Sequence, residues 1–332
     1  MASYAVIYQR CARGILVGNF TALDIIYSTC TDTNRGYNSG VSGILIVIVM
    51  VSTFMHAGWN LLARYAGSEG NFYRKMLVLT LLVGFLPAVI SEIQVGSMTR
   101  LAWICVIGSG TFAAFYLFGL ARAFHLSDFT IVYPVARALP VIFIALIDVA
   151  RGRMLTPLGW LGLMLVAAGS ILIPQQRFGD FQLRSYWNIA VLWMLVAAIG
   201  TIGYTVLDKV AAEVVQSGPA TAARYGYFYF AISFFPYILL MRTVKEPPAS
   251  GGARDWFLAA VGAVFGFGAY WLILWAYQLS PVASYIVAFR QFSIVIGAFL
   301  GFLIFKEQGI YVRLSGALLI AAGLIIIALY GG

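Results

Sequence analysis

From residue 43 onward, long apolar runs follow one another along the chain, separated by short polar breaks such as Gly67-Ser68-Glu69-Gly70 and Arg151-Gly152-Arg153. Each run is about 20 residues or longer, which is the length that an α-helix needs to cross the hydrocarbon core of a bilayer. Spans are predicted near residues 43–66, 74–93, 101–124, 128–150, 155–174, 187–208, 222–242, 255–277, 282–305 and 310–330. Because backbone polar groups within lipid must be paired inside their own segment, runs of this length predict helices rather than barrel strands.

The composition supports lipid as the main solvent of the chain. Hydrophobic residues make up 62% and charged residues 10% of the 332 residues, and the mean hydropathy is +0.91. An ordinary soluble domain is about half apolar and about a quarter charged, and it has too little interior for this much apolar surface. The predicted fold class is therefore an all-α integral membrane protein with ten transmembrane helices, multi-pass in the cell membrane, with the lipid bilayer as a partner.

Residues 1–42 differ from the rest of the chain. They contain several charged residues, among them Arg10, Arg13 and Asp24, and their apolar stretch is too short for the core of a signal peptide. We predict a weakly structured N-terminal tail in this segment. A protein that starts at Val41 or Met50 is expected to insert and function normally.

The net charge of +9 does not indicate nucleic-acid binding. The basic residues stand singly at the ends of apolar runs, where loops meet lipid headgroups, and no basic cluster is interleaved with aromatic residues. The three cysteines, Cys11, Cys30 and Cys105, are odd in number and lack a C-x-x-C pair, so neither a disulfide framework nor a zinc site is predicted. The four lysines all lie near predicted helix ends, and no cofactor or metal is predicted.

The two halves of the sequence match each other in order. At an offset of 153 residues, residues 123–127 align with residues 276–280, and Arg137 aligns with Arg290. Further matches at neighbouring offsets are Gly162 with Gly316, Gly169 with Gly323, Gly58 with Gly203, Trp59 with Tyr204 and Arg64 with Lys209. These matches predict two repeats of five helices, residues 43–174 and 187–330. Because five is odd, the second repeat must enter the membrane from the opposite side, which predicts an inverted repeat.

Several short segments resemble the EamA-type permeases of the drug/metabolite transporter superfamily. They are His56-Ala-Gly-Trp-Asn-Leu-Leu-Ala-Arg64, Leu126-Ser-Asp, Val132-Tyr-Pro-Val-Ala-Arg-Ala-Leu-Pro140, Pro157-Leu-Gly-Trp-Leu-Gly162, Gly203-Tyr-Thr-Val-Leu-Asp-Lys209 and Arg290-Gln291. The resemblance covers about 290 residues, and its specificity comes from the order of the segments. It implies ten helices, a central cavity and transport of small metabolites, without fixing the solute. One departure is the turn Arg151-Gly-Arg-Met154, where the family commonly has Gly-Glu-Arg.

Arg137 and Arg290 are the strongest candidate binding residues. Arg137 lies nine residues after Asp128 and Arg290 lies nine residues after Pro281. Each is therefore about 13 Å into a hydrocarbon core of about 30 Å. An arginine at this depth costs about 2.5–3.5 kcal/mol and should face water, a partner or a ligand. Two explanations stay open: the guanidinium groups bind solute, or they hold carbonyl groups that nearby prolines leave unpaired.

The first predicted helix supplies a second group of candidates. His56 and Asn60 lie four residues apart on one helix face, and Trp59 borders that face. They predict a cavity wall, although an interhelical hydrogen bond explains Asn60 alone as well. The remaining candidates, chosen for their positions beside these residues in the sequence or in the repeat, are Tyr133, Tyr204 and Gln291. Packing is the alternative role of the two tyrosines.

The predicted function is a membrane permease, not an enzyme, that moves a small metabolite through a midplane cavity by alternating access. The paired arginines favour an anionic or zwitterionic solute with a carboxylate, phosphonate or phosphate group. The alternative is an integral-membrane enzyme that acts on a lipid-linked substrate, for which the sequence offers no convincing catalytic acid or nucleophile. The protein is predicted to be a monomer or a homodimer.

Acidic residues are predicted to take no part in driving transport. None of the 12 acidic residues lies near the middle of a predicted span. Asp208-Lys209 closes the sixth span and Asp128 opens the fourth, where capping or pairing at the membrane interface is expected. Facilitated diffusion or exchange is therefore expected rather than proton-coupled pumping, with His56 as the one group able to titrate near neutral pH.

Overall fold

A computed structural model of the chain describes residues 41–126, 129–173, 175, 189–244, 252–296, 299 and 310–331. Within these ranges it describes the backbone alone at residues 64, 124–125, 129–138, 190 and 310. The predicted tail therefore lies outside the described residues, apart from its last two. The described ranges are helical and contain no strand.

The helices in the described part of the chain follow the apolar runs of the sequence. They are α1 Gly43–Tyr65, α2 Glu69–Val95, α3 Arg100–Leu126, α4 Phe129–Ala150, α5 Pro157–Leu172, α6 Ile189–Val214, α7 Pro219–Met241, α8 Ala253–Leu279, α9 Ala283–Arg290 and α10 Ile310–Tyr330. Six segments within them are long and apolar enough to cross a membrane: Gly43–Ala63, Glu69–Val95, Arg100–Ala123, Val191–Val214, Ala253–Leu279 and Tyr311–Tyr330. The prediction of an all-α membrane protein is confirmed in these residues. Ten membrane crossings and the inverted order are taken up below as proposals.

Local sequence signals fix several of the helix ends. Thr156 begins α5: its Oγ1 accepts a hydrogen bond from the Gly159 amide at 2.9 Å, and Pro157 occupies the first turn, where an amide is not needed. The other signal is Gly96, which ends α2 with a left-handed φ of 59° and donates its amide to the Glu92 carbonyl at 2.7 Å. Glycine is the residue that adopts this conformation without a steric cost.

Two helices differ clearly from the predicted spans. The sixth span was expected to end at Asp208, but α6 continues to Val214 because Asp208 and Lys209 find partners inside the protein. The ninth span was expected to run to residue 305; α9 ends at Arg290, a turn follows at Gln291, and the chain is helical again over residues 292–296. Residues 300–309 lie outside the described part.

α5 and α10 approach each other so closely that their backbones touch at two pairs of glycines. A Cβ atom at Gly169 would lie 2.5 Å from the carbonyl oxygen of Gly316, and a Cβ atom at Gly323 would lie 2.5 Å from that of Gly162. Real Cβ atoms do not approach a carbonyl oxygen this closely, so both contacts require residues without a side chain. The same four glycines are the positions that match between the two halves of the sequence.

A second pair of contacts follows the same pattern. Gly58 of α1 packs under the ring of Phe265 on α8, and Gly203 of α6 packs under the ring of Phe112 on α3. A Cβ atom would meet a ring carbon at 2.6 Å in the first contact and at 2.5 Å in the second. Gly58 matches Gly203 at an offset of 145 residues, and Phe112 lies 153 residues before Phe265. The contact between α1 and α8 therefore has a counterpart between α6 and α3.

Polar contacts join helix ends at two opposite faces of the bundle. At one face, the Glu92 carboxylate near the end of α2 pairs with Arg224 near the start of α7 at 3.1 Å, and Thr156 before α5 donates to the Tyr330 carbonyl at the end of α10 at 2.6 Å. At the other face, Lys75 near the start of α2 pairs with Asp255 near the start of α8 at 3.1 Å. We call the face that contains Glu92 and Thr156 the first face, and the face that contains Lys75 the second face.

Candidate functional site

Two neighbouring cavities lie between the helices, and three side chains line both of them. The first cavity has a volume of about 40 Å³ and is lined by residues of α3, α4, α6 and α9 and by Gln291. The second, also about 40 Å³, adds residues of α1, α2, α7 and α8. Tyr116, Tyr204 and Arg290 line both cavities. Each volume is large enough to hold water. We call the two cavities together, with Arg290 in their shared wall, the central cavity.

Arg290 is buried in the wall of the central cavity and forms no ion pair with a described carboxylate. Its exposed fraction is 8%, and none of the ion pairs formed in the described part of the chain includes it. Its Nε atom has no hydrogen-bond partner among the described residues. The groups that interact with it electrostatically include four tyrosines: Tyr116, Tyr204, Tyr270 and Tyr277. Burying a cation in such surroundings costs free energy, and binding of an anion lowers that cost.

A turn at Gln291 interrupts the helical segment directly after Arg290, and the helix resumes over residues 292–296. The Gln291 amide donates to the Ala288 carbonyl at 2.9 Å, which tightens the chain into a turn directly after the helix. At the start of α9, Asp148 of α4 accepts a hydrogen bond from the Ser284 amide at 2.8 Å. A carboxylate at this position stabilises the start of the helix.

The α1 candidates take different positions at the cavity. His56 and Trp59 line it, and the Trp59 indole donates to the His56 Nδ1 atom at 3.1 Å. The Asn60 amide donates instead to the backbone carbonyl of His56 at 2.7 Å, within the same helix. Asn60 does not belong to the lining of either cavity, so in this structure its side chain serves α1 itself.

Four aromatic residues that the sequence did not predict contribute to the cavity wall, namely Tyr116, Tyr229, Phe230 and Tyr270. Tyr204 contacts Tyr116, Tyr229 and Tyr270 edge to face, with centroids 5.8, 6.0 and 5.8 Å away. Tyr229 and Tyr270 stack at 4.1 Å. This wall offers an apolar surface with hydroxyl groups, which suits a solute that has an apolar body and a polar end. The sequence feature that could have indicated this aromatic wall lies in α7, where residues 225–230 contain five tyrosines and phenylalanines.

A carboxylate lies next to the central cavity, and the expectation that Asp208 sits at the membrane interface is wrong, because its side chain is buried inside the protein. Asp208 of α6 is 1% exposed. Its Oδ1 accepts hydrogen bonds from the Ser109 hydroxyl at 2.5 Å and the Tyr225 hydroxyl at 2.8 Å, and its Oδ2 accepts one from Tyr270. The sequence placed Asp208 at the membrane interface because the adjacent Lys209 resembles the polar end of a span.

Lys209 explains why the Asp-Lys pair does not end α6. Its ammonium group is buried and donates to the carbonyls of Tyr277 and Ser280, at 2.9 and 2.7 Å, where α8 ends. It also pairs with Glu213 at 3.3 Å, one turn further along α6. The predicted roles of capping and pairing therefore hold for Lys209, but inside the protein rather than at the lipid interface.

Glu213 also pairs with both arginines of the turn between α4 and α5. Its carboxylate oxygens lie 2.6 Å from an Arg151 nitrogen and 3.4 Å from an Arg153 nitrogen. In this turn the sequence departs from the usual Gly-Glu-Arg of the family it resembles. The missing acid is supplied from α6 instead, and the cluster of Arg151, Arg153, Lys209 and Glu213 holds the ends of α4, α6 and α8 together at the first face.

The structure thus brings five of the eight predicted site residues together at the central cavity. They are His56, Trp59, Tyr204, Arg290 and Gln291. The side chains of Tyr133 and Arg137 lie outside the described part, so their assignment stays a prediction. The helix that carries them, α4, packs against α9. No group of His, Cys, Asp and Glu suited to a metal ion is found in the described residues.

Residues 188–329 match the model of the EamA-like transporter family. The match covers less than half of the chain and is consistent with an EamA-type permease of the drug/metabolite transporter superfamily. The resemblance seen in the sequence is confirmed by this match. Together with the long apolar helices, it makes the chain a multi-pass protein of the cell membrane, as predicted. Membership in the EamA-like family implies a membrane transporter of small solutes.

Solved structures show that the EamA-like chain has a known fold. Matches are found to 28 chains of known structure. One is a crystal structure, described only as that of a protein, which covers 88% of this chain and 98% of its own length with a TM-score of 0.63 and 16% sequence identity. At this identity the likeness concerns the fold alone. No curated protein matches the chain.

Proposed function

We propose that this EamA-like protein is a permease for a small anionic or zwitterionic solute, which it moves through the central cavity by alternating access. The observation that carries the proposal is the buried guanidinium of Arg290, which lines both parts of the cavity without a carboxylate partner among the described residues. A guanidinium presents a planar fork that matches carboxylate, phosphonate or phosphate oxygens with two hydrogen bonds. The aromatic wall around Tyr204 fits the apolar body of such a solute.

Reciprocal helix contacts support two inverted halves, residues 43–174 and 187–330. In the repeat, Gly162 corresponds to Gly316 and Gly169 to Gly323, yet Gly162 touches Gly323 and Gly169 touches Gly316. Such an exchange of partners is the signature of a two-fold axis between two equivalent elements. The order of the contacts is antiparallel, since the earlier glycine of α5 meets the later glycine of α10. An axis of this kind lies in the membrane plane and inverts one half relative to the other.

The polar contacts between helix ends support ten crossings. The first face joins the ends of α2, α4, α6, α8 and α10 to the starts of α1, α5, α7 and α9. The second face joins the starts of α2 and α8. Successive helices that run from one face to the other produce this alternation. The shorter apolar helices Leu139–Ala150, Pro157–Leu172 and Ala283–Ile296, together with α7, then complete the ten crossings with the six long helices.

The cavity position favours a binding role for Arg290 over a purely structural one. A structural guanidinium would have its donors occupied by carbonyl groups or carboxylates, as Arg224 does with Glu92, Ser91, Ser97 and Thr221. Arg290 keeps a buried Nε without a partner in the described residues. Arg137 is proposed as its counterpart because it holds the equivalent repeat position on α4, which packs against α9.

The alternative of a membrane enzyme is not favoured. Asp208 is a carboxylate near the cavity, but its oxygens accept three hydrogen bonds and it is almost fully buried, whereas a catalytic acid must reach its substrate. The family match implies a transporter. The proposal therefore predicts that a bound solute leaves the protein chemically unchanged.

Ligand charge tests the proposal on the purified full-length protein. The probes share one ring and differ in charge: benzenesulfonate, phenylphosphonate and benzoate are anions, benzyl alcohol is neutral and benzylammonium is a cation. We expect the anions to raise the unfolding temperature in a saturable way, since a ligand at about 100 times its Kd stabilises by about 2.7 kcal/mol. Benzyl alcohol and benzylammonium should have little effect. Stronger stabilisation by benzylammonium, or equal stabilisation by all five probes, would contradict an anion-binding cavity.

A further inference from the structure

We propose that Asp208 takes up one proton when the central cavity binds an anion, so that the protein carries anion and proton together. This inference rests on the proposed function, because it requires an anion at Arg290. It replaces the sequence-based expectation of facilitated diffusion or exchange without acid coupling. The geometry that points to it is the position of Asp208 next to the cavity, linked to the cavity wall by a single tyrosine.

The hydrogen bonds of Asp208 describe a charged carboxylate held by neutral groups. Ser109, Tyr225 and Tyr270 all reach it with hydroxyl groups, from α3, α7 and α8. No ion pair in the described part of the chain includes Asp208. Its neighbour Lys209 turns to the end of α8 and to Glu213 instead. Hydroxyl groups can reorient, so this setting can hold the carboxylate and also its protonated form.

The charged group that balances Asp208 in the described part is Arg290. The ionisable side chains that interact electrostatically with Asp208 from neighbouring helices include Cys105 on α3, Tyr225 and Tyr229 on α7, Tyr270 and Tyr277 on α8, and Arg290 on α9. Asp148, the buried aspartate of α4, lies on a helix that packs against α6. Asp148 is engaged with the Ser284 amide at the start of α9. Arg290 is the cation in this group, and it interacts electrostatically with Asp208 without an ion pair between them.

Charge balance explains why anion binding should recruit a proton. The described charges at the cavity, Arg290 and Asp208, sum to zero when the cavity is empty. A bound monoanion adds a second negative charge in a region shielded from water, where uncompensated charge is costly. Protonation of Asp208 offsets that added charge. Empty and loaded protein then carry the same net charge at the cavity, whether or not Arg137 adds a further one, so a complete transport cycle moves no net charge across the membrane.

Tyr270 provides the route between the cavity and Asp208. It lines the second part of the cavity, and its hydroxyl donates to the Asp208 Oδ2 atom. A proton from cavity water binds the Tyr270 oxygen while the original hydroxyl proton passes to Asp208 Oδ2. The new carboxylic O–H then donates to the Tyr270 oxygen, whose hydroxyl turns to the cavity. One proton enters at the cavity, one O–H bond forms at Asp208, and Tyr270 ends with the same number of protons.

Calorimetry of benzenesulfonate binding tests the proposal on the full-length protein near pH 7. This probe is ionised at all relevant pH values and cannot supply or absorb the proton itself. The binding enthalpy is measured in Bis-Tris and in imidazole buffer, which are not anions and do not compete for the site, and its dependence on the ionisation enthalpy of the buffer gives the number of protons taken up. We expect uptake of about one proton per bound probe, as linkage between the two sites requires. Binding without proton uptake by the wild-type protein would overturn the proposal.

Three variants identify the group that takes the proton. Asp208→Asn should bind benzenesulfonate with proton uptake near zero, whereas Asp148→Asn, which alters the other buried aspartate, should keep the wild-type proton count per bound probe. Tyr270→Phe should slow proton uptake in stopped-flow measurements with a pH indicator, since it removes the relay. Unchanged proton uptake by Asp208→Asn would reject Asp208 as the acceptor. If Asp208→Asn does not fold, the number of protons taken up by the wild-type protein and the rate of proton uptake by Tyr270→Phe still test the proposal.

The outcomes also separate this proposal from the proposed function. If neither benzenesulfonate nor phenylphosphonate binds the wild-type protein while benzyl alcohol or benzylammonium does, the anion-binding function is wrong and the proton proposal is overturned with it. If benzenesulfonate binds without proton uptake, the function stands and the proton proposal alone is wrong.

Discussion

Replacing Gly169 by leucine is expected to leave little folded protein. The Cβ atom alone would lie 2.5 Å from the Gly316 carbonyl oxygen and 2.9 Å from the Ile320 amide nitrogen. Both atoms belong to the backbone of α10, so neither can rotate away, and α5 and α10 must separate along their length. Overpacking costs about 1–3 kcal/mol where side chains can yield, and a larger loss is expected here. The measurement is the fraction of detergent-extracted protein that elutes as a single species on size exclusion.

Two further leucine variants show whether close helix packing causes the expected loss of folded protein. Gly323→Leu alters the equivalent repeat position, where a Cβ atom would lie 2.5 Å from the Gly162 carbonyl oxygen, and it should be as damaging as Gly169→Leu. Gly43→Leu is the matched control, because a Cβ atom there has no neighbour within 4 Å. If Gly169→Leu yields as much folded protein as Gly43→Leu, the backbone contact between α5 and α10 does not exist as described.

Replacing Arg290 by glutamine is expected to weaken binding of benzenesulfonate about 100-fold, or about 2.8 kcal/mol, because it removes the charge and the two-pronged donor together. Arg290→Lys keeps the charge but loses the planar fork, so its affinity should fall about tenfold. Neutral benzyl alcohol makes no such contact, and its weak binding should change less than about twofold. Affinities are measured by calorimetry on protein that has passed size exclusion.

Arg224→Gln provides the control for removing a buried arginine. Arg224 is 7% exposed, close to the 8% of Arg290, but it pairs with Glu92 and lies at the first face rather than at the cavity. Its loss should lower the unfolding temperature because Glu92 keeps a buried charge, and it should leave the ranking of probes unchanged. If Arg290→Gln has this same pattern, Arg290 holds helices together and does not bind the solute.

The sequence predicts the features of the fold that depend on residues close together in the chain. Apolar runs of membrane length set the helices, and glycine, proline and threonine at their ends set the boundaries, as at Thr156 and Gly96. The end of α6 could not be predicted from its local sequence. Asp208 is satisfied by Ser109, 99 positions earlier, and by Tyr270, 62 positions later. A charge pair that is stabilised by such distant residues has the same local pattern as one at a lipid headgroup.

The candidate site also contains residues that the sequence predicts and residues that it does not. Arg290, Tyr204, His56 and Trp59 stood out because a polar or repeated residue at mid-span needs a reason in lipid. The tyrosines of the cavity wall did not, since an aromatic residue in an apolar helix is consistent with simple packing. A shared helix face does not prove a shared role. Asn60 lies on the same face as His56, yet its amide donates to a backbone carbonyl within α1. Spacing along a helix fixes which residues are neighbours, but not which helix approaches them.

Uptake into liposomes that contain only this protein tests the central claim most directly. Labelled benzenesulfonate is presented outside, and the vesicle contents are separated and analysed for both amount and chemical identity. The account predicts saturable uptake of unmodified benzenesulfonate by the wild-type protein, and uptake near the level of empty liposomes for Arg290→Gln. Equal uptake by the two proteins, or recovery of a chemically altered product inside the vesicles, would contradict a permease that carries an anion past Arg290.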